Sequence, residues 1–89
     1  METITKTDIE EVIKAENTKA LILYDDPVNT FEHVIDCLIK YCKCETEQAG
    51  QITFLVHHKG KCDIKHGSFD DLLPIYNALL DNKLNCKIE

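Results

Sequence analysis

An apolar run, Ala20-Leu21-Ile22-Leu23-Tyr24, halts at Asp25-Asp26-Pro27, and apolar residues then resume at a different spacing. The run has the length and β-branched or bulky character of a buried strand. The halt has turn chemistry: carboxylates compete for backbone N–H groups, and proline fixes φ while removing a donor. Beyond it, Asn29-Thr30 can cap a helix. The apolar residues Phe31, Val34, Ile35, Leu38, Ile39 and Cys42 fall on one face of that helix, with Glu32, Asp36, Lys40 and Lys43 on its wet side. Two adjacent carboxylates are therefore set on a short loop between a buried first strand, Lys19 to Tyr24, and an amphipathic helix.

The remaining chain supplies partners for this unit. Glu45 to Ala49 opens a second helix with its acids near the positive end of the dipole. Ala49, Ile52, Thr53 and Val56 share one face, Phe54 and Leu55 broaden the stripe, and Gly60 is a natural C-cap. Lys61 to His66 alternates Cys62 and Ile64 with polar residues, as a half-buried strand does. Ser68-x-x-Asp71 starts a third helix carrying Leu72, Ile75, Tyr76, Leu79 and Leu80, in which Pro74 implies either a separate first turn or a kink. Leu84 to Ile88 reads as a closing strand. The order β-α-α-β-α-β predicts a single small α+β domain over 19–89, a three-stranded antiparallel sheet with three helices packed on one face. Residues 1–18 are polar, with only a T-x-x-E capping pattern at Thr7–Glu10, and are expected to form a flexible arm.

Charge and composition narrow the function classes. A net charge of −6 without any Lys/Arg-rich run argues against nucleic acid and anionic membrane, since both need clustered cations. No apolar run approaches the roughly 20 residues that span a bilayer. The first residues lack the apolar core of an export signal, so the expectation is a cytoplasmic protein. An odd set of five cysteines, Cys37, Cys42, Cys44, Cys62 and Cys86, then reads as reduced thiols behaving as small hydrophobes. Cys42-x-Cys44 lacks a second ligand pair, so no metal and no cofactor is expected.

The polar residues admit two kinds of site. An enzyme would have to use Asp25 and Asp26 as an acid/base pair, or Cys37 or Cys62 with a histidine, and no local signature supports either. A binding site is better served. Asp25, Asp26 and a neutral His57, on the helix face next to Thr53 and Val56, can all accept hydrogen bonds. A peptide's α-amino group, with a pKa of about 8, is cationic at neutral pH and offers three donors. Phe31, Val34 and Val56 could house an apolar first side chain beside it.

At these residues the sequence resembles the ClpS adaptor family. The resemblance lies in LILYDDPVNTFEHVIDCL and in LVHHKGKC at Leu55–Cys62, and it runs from about Lys19 to the C-terminus. It implies a non-enzymatic adaptor that binds N-terminal destabilising residues (Leu, Phe, Tyr, Trp). Such an adaptor delivers their bearers to the N-terminal domain of a ClpA- or ClpC-type AAA+ unfoldase, for degradation by ClpP. The same resemblance implies that Asp25, Asp26 and His57 bind the α-amino group and that Asn29 lies at the loop that meets the peptide. It places Phe31, Val34, Thr53, Val56 and Leu84 in the side-chain pocket, Phe31 at a position that restricts entry. Asp70 or Asp71 falls near the unfoldase contact. Asp25 replaces the family's usual Asn, and Pro27 replaces its second loop acid, removing a carboxylate and an N–H. That replacement leaves an alternative: a module that docks on an unfoldase or another partner without degron recognition.

Overall fold

The strand β1 (Lys19–Tyr24) lies between the other two in a sheet of order β2-β1-β3, antiparallel to both. The computed structural model describes residues 18–89. The arm expected over residues 1–18, with its Thr7–Glu10 capping pattern, lies outside them but for Thr18. Helices α1 (Phe31–Cys42) and α2 (Thr46–Lys59) connect β1 to β2 (Lys61–Gly67), and α3 (Phe69–Asp81) connects β2 to β3 (Asn85–Ile88). The expected order and the antiparallel α+β architecture are both present, and the backbone of α1 runs closest to α2 and α3.

Alternation along β1 sends Leu21 and Leu23 into the core, where they meet Leu38 and Cys37 of α1, Ala49, Ile52 and Val56 of α2, and Leu72 and Leu79 of α3. The register places Leu23 opposite Cys62 on one side and Cys86 on the other. The register shifts between Leu21 and Ile22 and skips Ile64 of β2, which by alternation packs against the core with Cys62. Cys37, Cys42, Cys44 and Cys86 are buried and Cys62 is half-buried, all five as free thiols. Burial pushes all of them up, Cys42 and Cys86 to about 11.

Three local expectations change. Phe54 and Leu55 do not extend the core stripe of α2. They face outward, Phe54 54% exposed, because Ala49, Ile52, Thr53 and Val56 already occupy the buried arc. Of the two alternatives at Pro74 the separate first turn is set aside, since the third helix is continuous from its Ser68 cap. Proline there removes one ladder bond near the N-terminal end of a helix whose Leu72 and Leu79 are fully buried, and that packing carries the defect. The last strand begins at Asn85 and not at Leu84, which remains in the turn with its N–H bonded to the Leu79 carbonyl.

Candidate functional site

The site grows from the two ends of the strand-loop-helix unit. Where β1 stops, the Asp25 N–H donates to the Gly60 carbonyl at 2.9 Å. Gly60 closes α2 in the left-handed region (φ 89°), a conformation that glycine adopts without steric cost. This joint brings the last turn of α2 beside the acidic loop. His57 Nδ1 consequently stands 3.8 Å from Asp25 Oδ1, with the two side chains 58% and 42% exposed. That separation is longer than a hydrogen bond. The two groups are close enough to share one incoming donor and too far apart to satisfy each other.

Asp26 is held differently. Its Oδ1 accepts from the Val28 N–H at 2.8 Å, an Asx turn that sets the loop around Pro27, and its second oxygen has no protein partner among the described residues. Thr30, not Asn29, caps α1, accepting from the His33 N–H at 3.1 Å. Asn29 instead donates from Nδ2 to the Lys83 carbonyl at 2.9 Å.

Below this rim lies a cavity of about 290 Å³. Its size is near the lower end of the roughly 300–1,000 Å³ typical of ligand pockets. Phe31 and Val34 of α1 line one side, Thr53, Val56 and His57 of α2 another, and Leu84 a third, while Asp25, Asp26 and Asn29 border it. The Phe31 ring meets the His57 imidazole edge-on, centroids 5.2 Å apart at 73°. Thr53 is buried, and its hydroxyl donates to the Ala49 carbonyl at 2.7 Å, so the side chain offers the cavity no free donor.

All nine residues expected at an amine and side-chain pocket therefore border one cavity. Asp70 and Asp71 do not; they sit exposed in the first turn of α3, where the Asp71 N–H donates to Ser68 Oγ. The cavity also takes in residues that sequence reasoning did not select: Leu23, Tyr24, Pro27, Thr30 and Asn85. The turn chemistry and capping potential of Pro27 and Thr30 were visible signals. Nothing in the chain announces that Asn85 at the start of β3 reaches the acidic loop, because only antiparallel pairing with Tyr24 brings it there.

Fold and site together define a small α+β domain built around one apolar pocket with an acceptor-rich mouth. Residues 14–86 match the family model described as ATP-dependent Clp protease adaptor protein ClpS, and the chain belongs to this family. It is similar to the ClpS adapter protein of Cronobacter sakazakii, 33% identical over 58 residues, covering 65% of this chain and 55% of that protein. It is also similar to the ClpS adapter protein of Synechocystis, 47% identical over 45 residues, covering 49% of this chain and 45% of that one. The chain thus spans about half the length of the curated relatives it matches. Among solved structures, Agrobacterium tumefaciens ClpS2 bound to L-phenylalaninamide shares the fold with a TM-score of 0.77 at 15% identity, over 82% of this chain and 95% of that one. Among the described residues no helix is long and apolar enough to cross a membrane.

Proposed function

We propose that this chain is an adaptor that recognises the first residue of other proteins, Leu, Phe, Tyr or Trp, and passes them to a ClpA- or ClpC-type unfoldase for degradation by ClpP. The observation that carries the reading is the meeting of Asp25, Asp26 and His57 at the mouth of an apolar cavity. The carboxylates and a neutral imidazole accept the three donors of an α-ammonium group, and the first side chain enters between Phe31, Val34, Val56 and Leu84. The Asn29 amide oxygen, left over once Nδ2 is bonded to Lys83, is the part of that side chain available to a peptide N–H. L-phenylalaninamide, the ligand of the Agrobacterium neighbour, combines a free amine with an apolar side chain, which fits this reading. Asp70 and Asp71, exposed and away from the cavity, are assigned to unfoldase contact. No chemistry on the cargo is asked of the site.

Energetics require both halves of the ligand. A charge-assisted hydrogen bond contributes about 1.5–3 kcal/mol and a buried Leu or Phe side chain a similar ~1.5–3 kcal/mol. Either alone falls short of the roughly 4–15 kcal/mol that association costs. Calorimetric titration with Leu-, Phe- and Met-initiated peptides, each with an N-acetylated control, tests the proposal. Binding of free but not acetylated Leu and Phe peptides is expected. Equal binding of both forms, or of neither, overturns it and leaves docking without degron recognition.

A further inference from the structure

Leu84 and Asn85 line the cavity together with Phe31 and Val34 of α1, yet they lie beyond α3, at the start of the short edge strand near the far end of the chain. The turn itself, Asn82-Lys83, passes through the left-handed region at Lys83 (φ 69°). Backbone bonds from the Asn82, Lys83 and Leu84 N–H groups tie it to the last carbonyls of α3. Those bonds hold the turn to its own helix. They do nothing to set its distance from the other side of the cavity.

Pairing with β1 holds Asn85 beside Tyr24, and two side chains, one from the loop before α1 and one from its first turn, tie the turn itself to the α1 side. Asn29 Nδ2 donates to the Lys83 carbonyl at 2.9 Å, and His33 Nε2 pairs with the adjacent Asn82 carbonyl at 2.8 Å. A carbonyl only accepts, so His33 carries a proton on Nε2 and Asn29 turns its NH2 group to Lys83. Asn82 closes the network, donating from Nδ2 to the Tyr41 hydroxyl at 3.1 Å and to the Ala78 carbonyl at 2.7 Å. His33 and Tyr41 both reach Asn82, and Cys37 between them on the same line of α1 has its Sγ 3.8 Å from His33 Nε2.

We propose that His33, with Asn29, is a positioning residue of the pocket: it fixes the α3–β3 turn against α1 and so sets how closely the Leu84 wall approaches Phe31 and Val34. The inference rests on the reading of the cavity as the seat of an N-terminal side chain. His33 does not itself line the cavity and acts only through the turn. Selectivity follows from contact distance. A gap of about 0.5–1 Å forfeits a quarter to a half of the dispersion attraction between facing atoms. A small side chain such as Leu depends on a close wall, whereas Phe bridges a receded one.

The test compares the intact chain with His33→Ala, with His33→Phe (which keeps the ring and drops the donor) and with His33→Gln (which restores an N–H donor). Amide hydrogen exchange at Leu84 and Asn85 is followed in the peptide-free protein, and Leu- and Phe-initiated peptides are titrated alongside thermal melts. Exchange at these two amides is expected to quicken in the Ala and Phe variants and to recover in Gln. Leu-peptide affinity is expected to drop about two- to tenfold while Phe-peptide affinity drops less. Unchanged exchange, or equal losses for the two peptides that simply track the melting temperature, overturns the proposal. A wild-type chain that binds neither peptide overturns the degron reading instead, and exchange still decides whether His33 holds the wall.

Discussion

Replacing Asp26 with asparagine isolates the ammonium contact from the loop that presents it. The Asx turn survives, because the asparagine oxygen can still accept from the Val28 N–H now bonded to Asp26 Oδ1 at 2.8 Å. What changes is the other oxygen, which becomes an NH2 group, so a donor faces a donor where an acceptor met the ammonium. The lost charge-assisted bond is worth about 1.5–3 kcal/mol, or roughly 10- to 150-fold in Kd. Asp26 is partly exposed, which places the effect toward the lower end, about 10- to 30-fold. Asp25→Asn is the internal control. It keeps an acceptor oxygen at a position 42% exposed, and a loss of only about two- to fivefold is expected. Calorimetric titration with a free Leu-initiated peptide reads both variants, with thermal melts confirming that folding is intact. An Asp26→Asn protein that binds like the parent would refute the placement of the ammonium at this carboxylate.

Other perturbations address the pocket, the backbone and the thiols. Phe31→Ala removes the edge-on contact with His57, worth about 0.5–1.5 kcal/mol, and opens the entrance. Affinity for a Leu peptide should fall while that for an Ile peptide falls less; an unchanged Ile-to-Leu ratio in parallel titrations would remove Phe31 from selectivity. Lys43 ends α1 in the left-handed region (φ 60°), so Lys43→Gly should add about 0.5–1 kcal/mol of stability and raise Tm by a few degrees without altering peptide affinity. A lowered Tm would contradict this. Burial holds the Cys42 and Cys86 thiols at about 11, above an unfolded thiol near 8.5–9. Between those values the unfolded chain has lost its thiol protons and the folded one has kept them, so stability is fully present below about pH 8.5 and declines toward about pH 11. Denaturant midpoints under reducing conditions at pH 7.5 and 10 check the sign, and equal midpoints would count against burial as the cause.

Much of this molecule was legible in one dimension because its signals are local. The limits of β1 and α1 follow from a change of hydrophobic period across Asp25-Asp26-Pro27, and the buried face of α2 is the one that its spacing names, Ala49, Ile52, Thr53 and Val56. Capping chemistry at Ser68 located the start of α3 as well. Local rules misjudged Phe54 and Leu55, since hydrophobicity does not say which apolar residues a crowded interface has room for. At Pro74 they left two outcomes open, and the packing of Leu72 and Leu79, which outweighs one missing ladder bond, set aside the separate first turn.

The residue types for an acceptor-rimmed apolar site were present in the string, and the family pattern said which positions to watch. Their convergence is tertiary. Gly60 must turn left-handed for His57 to stand beside Asp25, and β3 must pair with β1 for Leu84 and Asn85 to close the cavity. His33 carries the same lesson: as a lone helix histidine it has no distinguishing context in sequence, and only the return of the chain at Asn82-Lys83 provides the carbonyl that it holds. Composition and periodicity determine which face of each element is oily and where each element stops. Distances between residues some fifty positions apart, such as Asn29 and Lys83, depend on how all the elements share one core, and no short stretch of chain encodes that.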